Sequence, residues 1–194
     1  MNNVQIGGLN MNHTVTSKEK ILETSRNMIK ENGYTSISIR AVASAAGISI
    51  GSVYNYFSSK VDLVGATIES IWCEIFGTMK DYDNFIDCIE WIYERIELGN
   101  KMYPGFFNLH SMTFLKEEKL EGRKLMKKSL KHIKDELCNI LLRDKSVREG
   151  CFDDEFTPEK YIEFVFSNIM ASMMKDDYDN SVLIEIIKRT IYNK

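Results

Sequence analysis

Only two prolines, Pro104 and Pro158, interrupt this 194-residue chain. Alternating runs rich in Val, Ile and Thr around hairpin turns are also missing, and together these absences exclude a β-sandwich or barrel and leave an all-helical fold. The four cysteines, Cys73, Cys88, Cys138 and Cys151, have no C-x-x-C spacing. No signal peptide precedes them, so free thiols in a reducing cytoplasm are expected. No stretch of about 18 apolar residues is free of charge, which removes a membrane span. The three histidines, His13, His110 and His132, are not spaced as metal ligands, and neither G-x-S-x-G nor a glycine-rich phosphate loop occurs. Asp177, Asp179 and Ser181 begin like a calcium loop, but Val182 stands where the glycine belongs and Lys188 where the bidentate acid belongs. No catalytic residue, metal site or cofactor is expected, and the chain reads as a non-enzyme.

What is present concentrates between Gly33 and Leu63, in GYTSISIRAVASAAGISIGSVYNYFSSKVDL. Ser38 is placed to cap a helix with Ile39, Val42, Ala43 and Ala46 at helical spacing, and Gly47 supplies the left-handed residue that ends it. Ser49 opens a second short helix in which Val53 and Phe57 turn inward, leaving Ile50, Gly51, Ser52, Tyr54, Asn55 and Tyr56 outside. The small residues Ala43, Ala45, Ala46, Gly47 and Gly51 let the two helices cross closely. That is the build of a helix-turn-helix, whose second helix enters a major groove about 12 Å wide. Packing alone does not ask for Tyr54, Asn55 and Tyr56 on a short helix ahead of Lys60.

Charge separates this region from the rest. Residues 1 to 60 carry six Lys and Arg against three acids, a balance of +3, while residues 61 to 194 carry −6. The overall charge of −3 would not announce a nucleic-acid partner, but phosphate attraction is local.

On these residues the segment resembles the DNA-binding domain of the TetR family of bacterial transcriptional regulators. The resemblance rests on a glycine closing the first helix (Gly33), a hydroxyl-rich entry to the second (Ser38), the A-x-x-A-G turn from Ala43 to Gly47, the Y-x-[HY]-F of Tyr54 to Phe57, and the K-x-x-L of Lys60 to Leu63. It covers roughly residues 17 to 72. Ile37 stands where the family usually has a threonine, so Ser36 or Ser38 is the alternative source of a hydroxyl there. The resemblance implies double-stranded DNA as partner. Ser38, Ser49, Tyr54, Tyr56 and Lys60 are expected at phosphates, and Arg40, Ile50, Gly51, Ser52 and Asn55 at bases.

The chain then divides into a flexible arm at 1–16, a helix-turn-helix head at 17–60 and a helical effector-binding and dimerisation domain at 61–194, with about nine helices in all. The first helix runs from about Ser17 to Asn32, burying Ile21, Leu22, Ser25, Met28 and Ile29. The fourth begins near Ser59 and continues to about Lys80, with Val61, Val64, Ile68, Ile71, Trp72, Ile75 and Met79 along its apolar side. The later helices are expected near 82–98, 104–115, 118–142, 158–175 and 180–193.

Two features of the body bear on function. Aromatic and sulfur side chains crowd its first half, and by composition most of them are core. The resemblance implies that helices here enclose a small-molecule pocket, for which Trp72, Phe76, Trp91, Tyr103, Phe106, Phe107, His110 and Phe114 are the candidate walls, with a largely apolar effector. The helix opened by Thr157-Pro158 is apolar on more than one side. With the last helix it offers Phe164, Phe166, Met170, Met173, Met174, Leu183 and Ile187 either to the chain's own core or to a two-fold four-helix interface with a second copy. A dimer would present two heads to a palindromic operator. The leading expectation is a homodimeric, ligand-responsive repressor; the alternative is a helical ligand-binding protein whose head docks a protein partner and does not read DNA.

Overall fold

The computed structural model describes residues 17–77, 81–107 and 120–192, and these contain eight α-helices and one 3-10 turn. The described residues fall into two compact units that meet in sequence between Ser70 and Ile71. The expected arm at 1–16 lies outside the described residues, as does most of the helix expected at 104–115.

The first unit is built from short, individually capped helices. Helix α1 (Lys18–Asn32) starts where Ser17 Oγ accepts the Lys20 amide at 3.2 Å and stops at Gly33, whose φ of 74° is open to glycine at little cost. A 3-10 turn (Tyr34–Ser36) leads into α2 (Ile39–Ala46), capped by Ser38 Oγ on the Ala41 amide at 3.1 Å and ended by left-handed Gly47. Helix α3 (Ile50–Tyr54) is only five residues long. Its helical turn is carried on by Tyr56 and Phe57, whose amides both reach the Val53 carbonyl at 3.0 Å, so Asn55 and Tyr56 follow α3 rather than lie on it. Ile21, Ile37, Val42, Val53, Phe57 and Leu63 form the centre of this unit, each at most 1% exposed.

Helix α4 (Lys60–Phe76) begins with a reciprocal cap. Ser59 Oγ accepts the Asp62 amide at 3.1 Å, and Asp62 Oδ2 accepts the Ser58 amide at 2.9 Å. Its buried stripe is Leu63, Thr67, Ile71 and Ile75, a strict i, i+4 row in which Thr67 satisfies its hydroxyl on the Leu63 carbonyl at 2.7 Å. This corrects the expected apolar side. Val61 is 53% exposed, because the row is set by which residues face neighbouring helices and not by their hydrophobicity alone. The helix ends before Gly77, which takes φ 57°, and not near Lys80; Met79 lies outside the described residues.

The body continues with α5 (Phe85–Met102), α6 (Leu120–Arg143), α7 (Pro158–Lys175) and α8 (Ser181–Ile191). Asn84 caps α5 through the Asp87 amide at 3.1 Å, which sets its start three residues later than the periodicity suggests. Helix α6 packs on α7, and α5 packs on both α6 and α8. At the end of α6 the buried Asp144 gathers three donors: the Phe85 amide at 2.8 Å, the Ser146 amide at 2.8 Å and the Tyr192 hydroxyl at 2.5 Å. Burial pushes its carboxyl up, but the hydrogen bonds from Tyr192, Phe85 and Ser146 outweigh that and hold it below the ordinary range. One carboxylate thus ties the first turn of α5, the exit of α6 and the end of α8. Gly99 on α5 is required by close packing: a Cβ there would sit 2.8 Å from Ile75 Cδ1 and 2.9 Å from Phe107 Cζ.

Candidate nucleic-acid interface

The surface of α3 follows from its anchors. Val53 is fully buried and Phe57 is 1% exposed, with the Lys18 ammonium 5.7 Å from the centre of the Phe57 ring. With that side committed to the core, the opposite side is presented outward: Ile50 is 43%, Tyr54 52% and Tyr56 42% exposed, and Gly51 and Asn55 are also at the surface. Ser49 Oγ accepts the Ser52 amide at 3.0 Å and lies 2.8 Å from Ser52 Oγ, so the helix start is held by its own hydroxyls.

The other candidates surround this face in sequence. Arg40 on α2 and Lys60 at the start of α4 are both exposed. Ser38 is half-buried with its oxygen occupied as a cap, which leaves its hydroxyl proton to donate. Ile37, the departure from the family pattern, is 1% exposed and belongs to the core. Ser36 is turned inward on the carbonyls of Gly33 at 2.6 Å and Met28 at 3.2 Å, so Ser38 is the better placed of the two hydroxyls. Arg26, by contrast, is engaged with Glu19 at 2.9 Å.

In the body, the candidate pocket residues that are described come together as a single run of ring contacts. Trp72 lies 5.5 Å from Phe76, 5.7 Å from Phe106 and 5.4 Å from Phe107; Phe76 lies 6.0 Å from Trp91, and Tyr103 6.0 Å from Phe106. Tyr103, Phe106 and Phe107 are buried, and the Tyr103 hydroxyl donates to Glu74 Oε2 at 2.8 Å. His110 and Phe114 lie outside the described residues. A groove of about 350 Å³ is lined instead by Asp81, Glu136, Asn139, Leu142 and Arg143. Sequence reasoning missed two polar atoms on α5, Arg95 Nε and Asn100 Oδ1, which are buried without a hydrogen-bond partner among the described residues. Both sit within an otherwise amphipathic pattern that marks them as ordinary surface positions.

The dimer candidates divide. Met173, Leu183 and Ile187 are buried inside the chain itself, whereas Phe164 and Met174 are 45% and 48% exposed and Phe166 and Met170 are half-buried. Val182 and Ile186 on α8, at 70% and 38%, are further exposed apolar residues of the last helix. They fall on the side of α8 away from the buried row Leu183, Ile184, Ile187 and Ile191.

No helix among the described residues is long and apolar enough to cross a membrane, and none of their His, Cys, Asp or Glu side chains gather in a group able to hold a metal ion. Burial pushes the Cys88 thiol up to about 12, which leaves it unreactive.

A tight pair of helices, the second short and outward-facing, has the build of a helix-turn-helix. Residues 21–67 match the family described as bacterial regulatory proteins, tetR family. The match is confined to the segment that holds α1 to α3 and the first turns of α4. The chain is similar to the dhaKLM operon transcriptional activator DhaS of Lactococcus lactis, with 23% identity over 109 residues that span 51% of this chain and 58% of that protein. It is also similar to the transcriptional repressor KstR of Rhodococcus jostii, with 34% identity over 56 residues that span 29% of this chain and 26% of that one. Both matches therefore cover less than two thirds of the relative. Among solved structures, the fatty acid degradation regulator FadR of Bacillus halodurans superimposes with a TM-score of 0.59 at 18% identity, over 88% of this chain and 92% of that one, which shows the shared fold.

Proposed function

We propose that the chain is a cytoplasmic, homodimeric repressor that binds a palindromic operator through α3 and leaves it when a small, largely apolar effector enters the body. The observation that carries this reading is the outward display of Ile50, Tyr54, Asn55 and Tyr56 above a fully buried Val53. Phosphates fall to Ser38, Ser49, Tyr54, Tyr56 and Lys60, and base edges to Arg40, Ile50, Gly51, Ser52 and Asn55. One α3 touches too few bases to single out a site in a genome, so two copies are required. The exposed apolar residues Phe164, Met174, Val182 and Ile186 on α7 and α8 are the surface for that pairing.

The curated relatives differ in sign, DhaS being named an activator and KstR a repressor. Repression is the simpler outcome for a dimer that occupies a palindrome. The effector would part the ring contacts around Trp72 and Phe76. The name of FadR associates that protein with fatty acid degradation, in keeping with a long apolar effector.

Selection of bound sequences from random duplexes tests the reading. Enrichment of two inverted half-sites with centres about 10–10.5 base pairs apart, or a multiple of that, is the expected result. A chain that enriches nothing, sediments as a monomer and instead captures a protein through its head would overturn it in favour of a protein-docking head.

A further inference from the structure

The chemistry of α3 also specifies what kind of base it reads. Its five residues, Ile50–Tyr54, include no Arg, Lys, Asn or Gln, so the helix itself lacks the forked donors and acceptors that grip guanine or adenine in the major groove. Val53 is buried, Gly51 has no side chain, and the Ser52 hydroxyl lies 2.8 Å from Ser49 Oγ. Two side chains of α3 are left exposed for about half their surface: Ile50 at 43% and, one turn on and on the same face, Tyr54 at 52%. Of these Ile50 is the one at the first helical position, the end of a recognition helix that meets base edges.

We infer that Ile50 reads thymine through its C5-methyl group, the one apolar feature that a base edge offers in the major groove. The inference rests on the proposed entry of α3 into that groove. Three features of the structure favour it. Ile50 is held in place by the Ser49 cap on one side and the buried Val53 on the other, so its position relative to the groove is set by the fold. Its branched side chain has few rotamers to lose on contact. Next to it, a Cβ on Gly51 would meet nothing nearer than Ser49 Oγ at 3.7 Å, so the surface beside Ile50 is low and a base edge can approach closely. Ile50 is not among the buried core side chains, so its replacement is expected to leave the fold intact.

The test uses the full chain and the duplex obtained by selection. Each thymine is replaced in turn by deoxyuridine, which removes only the methyl, and affinity is measured for the wild type and for Ile50→Ala, whose unchanged melting temperature serves as the folding control. One thymine per half-site is expected to lose about fourfold in affinity for the wild type on demethylation, the worth of one buried methyl-sized group. The same replacement should leave Ile50→Ala unaffected. Equal losses for both proteins at every thymine, or no loss at any, would overturn the thymine assignment while the selected operator still upheld DNA binding. Failure to select any duplex would sink both.

Discussion

The head and the body of this protein are organised by different physics. In the head, each helix is delimited by its own neighbours in sequence: Ser17, Ser38, Ser49 and Ser59 accept amides three residues on, and Gly33 and Gly47 take the left-handed φ that ends a helix. In the body, local caps at Asn84 and Thr157 open α5 and α7, but contacts distant in sequence tie the helices together. Asp144 reaches back 59 residues to the Phe85 amide and forward 48 to Tyr192, and Tyr93 meets Ser172 across 79 residues. A surface built from local rules keeps its shape when its sequence neighbours are known, whereas a surface built from distant contacts follows whatever packs against it. That contrast fits the proposed division into a DNA-reading head and an effector-responsive body.

Removing one central side chain from each region gives the largest effects. Phe57→Ala empties the middle of the head and should cost about 3–5 kcal/mol. Amide exchange read residue by residue should show α1 to α3 losing protection while α5, α7 and α8 keep theirs. Uniform loss across both units would show that the head has no stability of its own to lose.

The matching cut in the body is Asp144→Asn. It replaces a charged acceptor of three hydrogen bonds with a neutral group that keeps one oxygen and sets its amide protons against either the Phe85 amide or the Ser146 amide, a cost of about 1–3 kcal/mol. The sign with pH follows from the depressed carboxyl. Its stabilising contribution is complete above the ordinary aspartate value of about 3.9 and is lost as pH falls through the lower folded value. Urea unfolding of the wild type should therefore weaken below about pH 4, and the variant should lack that part of the acid slope. Identical acid limbs would contradict the clamp.

The same contrast explains what could be read in advance. Caps, glycine stops and the inward turn of Val53 and Phe57 are properties of a few consecutive residues, so the head was legible to within a residue or two; only the end of α3 at Tyr54 was placed too far along. The buried row of α4, by contrast, depends on partners from other helices. Val61 and Leu63 are both apolar, and nothing in the pattern told which would be the exposed one. Gly99 gave no local signal, since its need arises only where Ile75 and Phe107 press on it. Among the dimer candidates, hydrophobicity marked α7 and α8 correctly as rich in apolar residues. It could not separate Met173, which the chain buries, from Met174, which it displays.

Ser49→Ala probes the local rules at a single cap. The change removes the acceptor for the Ser52 amide and should cost about 1 kcal/mol. Because α3 has only five residues, fraying at its first turn displaces Ile50 directly. Operator affinity is expected to fall severalfold with body stability unchanged, as fluorescence anisotropy and thermal melting would show. A fall in stability without a fall in affinity would place Ser49 outside the reading surface.

The smallest and most discriminating effect is that of Lys60→Ala against Asn55→Ala. Lys60 is exposed at the start of α4, where its ammonium makes a point charge suited to a phosphate and blind to sequence. Its removal should weaken the selected operator and a scrambled duplex alike, and reduce the slope of log affinity against log salt by about one. Asn55 is neutral and exposed just past α3, so its loss should leave the salt slope as it was and narrow the gap between operator and scrambled duplex. If both variants lowered affinity for the two duplexes by the same factor, positioning and reading would not be separate tasks on this surface, and the division of the head into phosphate and base contacts would have to be redrawn.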